Sequence, residues 1–305
     1  MSKFQGLDLG LVVRGHGRHY IVEDAAGHRF VCHPRGKKSE AVVGDQVRFA
    51  ETSRNGDEIE GVIEAVEARR NLLFRQDEWK TKSFAANVDQ LLVLVAVEPV
   101  FSESQLARAL IAAESAGIRS AIALNKTDLP GTESARARLK PYRDMGLTVF
   151  EVALKADPEG SRDTLNAWLE GQRSFVLGPS GTGKSTLINL LVPDARAQIG
   201  DISIALNSGR HTTTSTQWYW VNASRQTALI DSPGFQEFGL RQIDPAELFK
   251  WMPDLRQHAN CRFYNCSHQH EPGCGVLDAV ETGQISAPRF RIYSEILAEL
   301  QRKSW

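Results

Sequence analysis

The chain has 305 residues, 42% hydrophobic and 24% charged, with a formal net charge of -1. That is the length of two or three domains and the composition of a soluble globular protein. The charge balance excludes a globally basic nucleic-acid binder, the longest apolar run (residues 91–97) is too short to span a bilayer, and the start lacks a signal peptide's apolar core, so the chain reads as cytoplasmic with no membrane partner.

In chain order, residues 1–72 read as all-β. Extended runs at 11–14, 19–22, 29–32, 46–50 and 61–66 are separated by turn signals such as Glu23-Asp24-Ala25-Ala26-Gly27 and Arg54-Asn55-Gly56-Asp57. Five short strands in so few residues suggest a small barrel, of which the OB-fold is one solution. The basic loop Arg35-Gly36-Lys37-Lys38 either touches phosphates or is simply solvated. Residues 73–86, with Arg75, Lys80 and Lys82, read as a charged linker.

From residue 88 the pattern changes. Residues 88–97 are nearly all apolar after a polar start, as in a strand buried on both faces. Ser102-Glu103-Ser104-Gln105 fits a capping box for a helix that ends near Gly117. Further strands are expected at 121–124, 147–152, 174–177, 217–221 and 227–230. Strands alternating with helices imply a parallel sheet wrapped by helices, with ligands at the carboxyl ends of the strands. The sheet pattern ends near Gly239, and a helix is expected over 288–303. The architecture is therefore multi-domain: an N-terminal all-β barrel over 1–72, a central α/β domain over 73–240, and a mostly helical domain over 241–305.

Two signatures in the central domain point to a guanine nucleotide. Gly178-Pro179-Ser180-Gly181-Thr182-Gly183-Lys184-Ser185-Thr186 lies between an expected strand and an expected helix. Glycines let the backbone turn its N–H groups toward phosphate, and the helix start adds its dipole. Lys184 is placed to reach the β- and γ-phosphates and Ser185 to ligate Mg²⁺. Upstream stands Asn125-Lys126-Thr127-Asp128. The Asp128 carboxylate can accept from guanine N1 and its exocyclic amine, a donor pair that adenine lacks. Asn125 can orient the loop, and the Lys126 stem can cover the base. Ala153-Leu154-Lys155 offers a backbone N–H for guanine O6. The base reader ordinarily follows the phosphate loop, so the reversed order implies a circular permutation.

Asp231-Ser232-Pro233-Gly234 follows a strand. Asp231 can hold Mg²⁺ through water, and the Gly234 N–H can meet the γ-phosphate. One threonine of Gly209-Arg210-His211-Thr212-Thr213-Thr214 completes the Mg²⁺ shell, Thr213 being the first choice. Where many GTPases carry a water-orienting Gln, this chain has Phe235. Gln236 and His211 are the alternatives, and slow intrinsic hydrolysis stimulated by a partner is expected.

Cys261, Cys266, His268 and Cys274 supply three thiolates and one imidazole, a closed tetrahedral set for structural Zn²⁺. His270 and His258 are nearby substitutes for His268.

The permuted order, the His-Thr-Thr-Thr run, the Asp-Ser-Pro-Gly element and the C-x4-C-x-H-x5-C spacing with Glu271-Pro272-Gly273 inside it resemble the RsgA (YjeQ) family of bacterial GTPases. The resemblance spans essentially the whole chain. It implies an N-terminal OB-fold barrel, a circularly permuted P-loop GTPase domain and a C-terminal zinc-binding domain. It also implies a monomer that assists late maturation of the small (30S) ribosomal subunit, contacts its 16S rRNA, and hydrolyses GTP to GDP under stimulation by that subunit, nucleotide state controlling binding and release. Family roles fall on Lys184, Ser185, Asn125, Lys126, Asp128 and Asp231, on the four metal ligands, and on His211 as the proposed catalytic histidine. The modest basic bias of the last helix (Arg289, Arg291, Arg302 and Lys303 against Glu295 and Glu299) is consistent with local RNA contact.

Overall fold

The computed structural model describes residues 6–36, 41–55, 58–76, 81–192, 195, 216–232 and 238–302. Several residues singled out above lie outside this set: Lys37, Lys38, Lys80, His211, Thr213, Gly234, Phe235, Gln236 and Lys303.

Alternating apolar residues close the N-terminal strands into a barrel. These are β1 (Asp8–His16), β2 (His19–Glu23), β3 (Arg29–Pro34), β4 (Gln46–Asn55) and β5 (Glu58–Val66). They pair in the order β1-β2-β3-β5-β4, and β4 returns to β1. Only β3 and β5 run parallel. Closure leaves no free edge within the barrel, and this strand order is the OB arrangement. Val12, Val22, Phe30, Cys32, Val47, Phe49 and Ile63 fill the interior, Phe30 and Phe49 meeting edge to face at 4.8 Å.

The described residues of this stretch, 72–76 and 81–86, are not a linker. They form a hairpin, β6 (Leu72–Gln76) and β7 (Thr81–Ala86), which is a two-stranded sheet of its own. The charges of this ribbon mask its apolar residues: Leu73, Phe84, Ala85 and Ala86 are buried, while Lys82 is exposed. Phe84 packs on Phe175 and stacks on Phe238, with ring centroids 6.0 and 5.7 Å apart.

The central sheet holds β8 (Gln90–Ala96), β9 (Arg119–Asn125), β10 (Thr148–Glu151), β11 (Arg173–Leu177), β12 (Gln217–Trp220) and β13 (Ala228–Asp231). Their spatial order is β10-β9-β8-β11-β13-β12, all parallel except β12. Every residue of β8 is buried. Its side chains alternate between two cores, Leu91, Val93 and Val95 in one, Leu92 and Leu94 in the other. Helix α1 (Glu103–Ser115) covers the first face through Leu106 and Ile111, and its cap Ser102 accepts from the Gln105 N–H at 3.3 Å. Helices α3 (Pro158–Leu169) and α4 (Lys184–Leu191) cover the second through Leu165, Leu187 and Leu191, and α2 (Thr132–Asp144) joins β9 to β10. The chain winds outward from β8 through β9 to β10, and in the opposite sense from β11 to β13. The crevice where winding reverses, between β8 and β11, opens at the carboxyl ends of the strands.

One edge of this sheet continues into the barrel, because β12 pairs with β1. Glu23 pins the junction: its buried carboxylate accepts from Trp220 Nε1 at 2.7 Å and from Arg29 Nε at 3.1 Å, with Arg225 3.6 Å away.

The C-terminal unit comprises a 3-10 helix (Pro245–Trp251), α5 (Pro253–Arg256), α6 (Gly275–Glu281) and α7 (Ala287–Gln301). Arg289 does not belong to a basic face. It is 5% exposed, forks onto Asp254 at 2.8 and 3.0 Å, and lies 5.0 Å from the Tyr142 ring centroid. Among the described residues, no helix is long and apolar enough to cross a membrane.

Candidate guanine-nucleotide site and metal centre

The phosphate-loop sequence sits where the winding reverses, joining β11 to α4. Two of its glycines are required by close approach. A Cβ on Gly178 would lie 2.3 Å from the Leu94 carbonyl oxygen, and Gly183, the N-cap of α4, has φ +107 with Asn125 Nδ2 2.4 Å from where a Cβ would be. The loop is internally braced: Thr182 Oγ1 donates to the Pro179 carbonyl at 2.9 Å, and Lys184 Nζ donates to the Gly178 and Pro179 carbonyls at 2.6 and 3.2 Å. Lys184 thus rests on carbonyls that are weaker partners than a phosphate. Ser180 and Ser185 are exposed, Pro179 and Thr186 half-buried.

Asn125 is the hinge-pin of the site. Buried at the end of β9, it donates through Nδ2 to the Thr182 carbonyl at 2.8 Å, and its Oδ1 accepts from the Leu154 N–H at 3.1 Å. One amide therefore ties together the 125–128 tetrapeptide, the 153–155 segment and the 178–186 loop. Thr127 extends the link, its N–H and hydroxyl both donating to the Val152 carbonyl at 3.3 and 3.1 Å. Asp128 is exposed, free to face a base. Lys126, at φ +64, donates to the Glu98 carbonyl at 2.6 Å. Neither Glu98 nor Pro99, which lies beside Gly181, is marked by the sequence, because the 98–100 loop reaches the site only through the sheet order.

Asp231 ends β13, next to β11, and is 5% exposed. Burial pulls the Lys184 pKa down, while the Asp231 carboxylate opposes that shift. Ammonium and carboxylate thus share the phosphate end of the crevice. The neighbouring Ser232 hydroxyl is anchored on the Val176 carbonyl at 2.9 Å. The Ser185 hydroxyl and Asp231 carboxylate are the hard oxygen donors that suit Mg²⁺.

The Cys/His cluster is equally well formed. Cys261, Cys266, His268 and Cys274 place their donor atoms within 4.8 Å of one another. His268 Nδ1 lies 3.4 Å from both the Cys261 and Cys274 sulfurs, which are 3.7 Å apart. Tetrahedral coordination at thiolate and imidazole bond lengths predicts separations of about 3.5 and about 3.8 Å. Neither His258 nor His270 belongs to this group. Burial pushes the Cys266 thiol up to about 12, so without a cation this group would be a thiol rather than a thiolate. Glu271 shapes the loop: its carboxylate accepts from the Ser267 N–H and hydroxyl at 2.7 and 2.6 Å and from the Gln269 and His270 N–H groups at 3.0 and 3.2 Å. Burial alone would raise its pKa, but these bonds outweigh it and the net shift is downward. They hold His268 at φ +58, with its ring turned to the sulfurs.

A P-loop sheet with a guanine-reading element upstream of the phosphate loop defines the class: a circularly permuted GTPase. Residues 66–241 match the model of the RsgA GTPase family. The "Small ribosomal subunit biogenesis GTPase RsgA" of Variovorax paradoxus is 58% identical over 302 residues, covering 97% of this chain and 93% of that relative. YjeQ from Thermotoga maritima superposes with a TM-score of 0.73 at 29% identity over 97% of this chain and 100% of that one. The fold also matches YloQ, described as a circularly permuted GTPase, with a TM-score of 0.69 at 24% identity over 100% and 99% of the two chains. The chain belongs to the RsgA GTPase family and is a GTP hydrolase.

Proposed function

We propose that this GTPase binds the small ribosomal subunit and assists its late maturation, hydrolysing GTP to GDP and phosphate under stimulation by the subunit. The observation that carries the nucleotide half of this reading is the double hydrogen bond of Asn125 to the phosphate loop and to Leu154. It makes base recognition and phosphate binding one mechanical unit. The ribosomal half rests on the curated relative that shares 58% of its residues along nearly the whole chain.

In this reading Asp128 accepts from guanine, Asn125 and Thr127 hold the reader, and the Lys126 stem covers the base. Backbone N–H groups of 178–186 and the start of α4 bind the phosphates, with Lys184 releasing its carbonyl partners to take phosphate oxygens. Ser185 and Asp231 would hold Mg²⁺, together with Thr213. When bound, such an ion would supply neutralisation of phosphate charge. Gly234 would meet the γ-phosphate, and His211 would orient the attacking water. Cys261, Cys266, His268 and Cys274 would hold one structural Zn²⁺, which cross-links the C-terminal unit and takes no part in the chemistry. The barrel (1–72) and the zinc-binding unit (241–305) flank the GTPase domain (73–240) and would contact 16S rRNA, the protein acting as a cytoplasmic monomer whose grip depends on nucleotide state.

The test compares GTP with ATP hydrolysis, each with and without purified small subunits. The expected result is GTP selectivity and a low basal rate that subunits raise severalfold or more. An unchanged rate with subunits would overturn the ribosomal assignment, and equal use of ATP would overturn the base reader.

A further inference from the structure

The barrel contributes a charge to the edge of the nucleotide site. The strand register pairs Arg14 of β1 with Gln217 of β12, and Gln217 with Asp231 of β13. Directly opposed residues on neighbouring strands share one face of a sheet. Arg14, Gln217 and Asp231 therefore form a cross-strand row, and Asp231 is the first acidic residue met along it from the barrel. Two strand spacings put the Arg14 and Asp231 backbones about 10 Å apart. β1 runs parallel to β13, so Arg14 lies at the carboxyl end of the sheet, where nucleotide would bind.

The guanidinium is in an unusual state. Its Nε and Nη1 are shielded from solvent and have no hydrogen-bond partner among the described residues. Burial lowers its pKa, with the Tyr219 phenol opposing. Tyr219, two residues along β12 from Gln217, feels both ends of the row. Burial raises its pKa first and the Asp231 carboxylate further, while Arg14 pulls it down. Two of its three guanidinium nitrogens are thus buried without a partner, which is costly to a fold. Its field falls on the end of the sheet where, in the reading proposed above, nucleotide and Mg²⁺ would bind.

We propose that Arg14 is a positioning residue of the nucleotide site, a cation supplied by the barrel that strengthens the site's hold on phosphate and weakens its hold on the divalent cation at Asp231. This rests on the reading of Asp231 as the Mg²⁺-holding carboxylate. It provides a route by which a partner on the barrel can act on bound nucleotide, since moving β1 against β12 changes the field at Asp231.

The test is binding of a fluorescent GDP analogue to the full-length protein, first in EDTA and then titrated with Mg²⁺. One positive charge acts with opposite sign on an anion and on a cation. Arg14→Met is expected to weaken metal-free GDP binding by about three- to tenfold and to lower the Mg²⁺ midpoint by a similar factor, the size set by partly screened charges at this separation. Arg14→Lys, which keeps the charge, restores both toward the parent values. If Arg14→Met weakens GDP and Mg²⁺ binding together, or changes neither, the proposal fails and Arg14 is structural. Thermal unfolding of each variant identifies a folding defect, and Arg14→Gln then repeats the measurement with a smaller change of shape. Asp231→Asn separates the two layers. If it leaves the Mg²⁺ midpoint unchanged, the underlying assignment of Asp231 is wrong. If it raises the midpoint while Arg14→Met does nothing, only the role of Arg14 is lost.

Discussion

The nucleotide site and the Cys/His cluster are both built on loops, yet they are assembled over different distances. The nucleotide site draws Asn125 and Asp231 from the ends of β9 and β13, Leu154 from the loop after β10 and Lys184 from the start of α4, and the buried sheet holds them together. Its loops interlock through hydrogen bonds such as those of Asn125. The Cys/His cluster lies within residues 261–274, where no described strand or helix begins before Gly275. There, a carboxylate orders the loop, and burial drives at least one thiol toward its protonated form. One site is held by the fold, whereas the other, in the zinc-bound reading proposed above, would be held by its ion.

The largest test of this contrast is metal removal. Chelation, or Cys274→Ala, should unfold the 241–302 region and expose it to proteolysis while GTP binding survives. Structural zinc in small units contributes on the order of 10 kcal/mol to folding. Metal analysis, circular dichroism and nucleotide binding on one sample decide it, and a metal-free protein with an intact C-terminal unit would break the comparison. Lys184→Ala should do the converse, lowering GTP hydrolysis by about 100-fold or more with little change in melting temperature, because the lysine loses only loop carbonyls. Asp128→Asn should weaken GTP binding by about 10- to 100-fold, since an amide offers only one acceptor atom to the two guanine donors. The smallest effect sharpens the idea of interlocked loops. Asn125→Ala leaves the Thr182 carbonyl and Leu154 N–H without their partner, which should cost about 2 kcal/mol of stability and weaken nucleotide binding in parallel. Stability unchanged in that variant would mean that the loops hold their shape independently.

Much of the fold and of the nucleotide site is legible in the amino-acid sequence. The barrel strands, the alternation from β8 onward and the capped start of α1 follow from periodicity and turn chemistry, which act over a few residues. The phosphate loop and base reader are legible because their chemistry demands fixed residue types at fixed spacing. The β6–β7 hairpin is hidden because Arg75, Lys80 and Lys82 dominate its composition, while Leu73 and Phe84 are buried, Phe84 by partners far along the chain, Phe175 and Phe238. Arg289 reads as a surface charge because its counter-ion Asp254 lies on another helix. The role of Glu271 in turning His268 toward the sulfurs requires the folded loop.

The chain's local order therefore determined its chemistry: which groups can grip phosphate, read guanine or bind a soft cation, and that the first two occur in permuted sequence. Only the tertiary structure decided which residues share a face. The Asn125 bridge, the burial of Arg289 and the row from Arg14 through Gln217 to Asp231 all depend on strand order and register. Those are set by packing between segments that are distant in sequence, and local residue patterns carry no record of it.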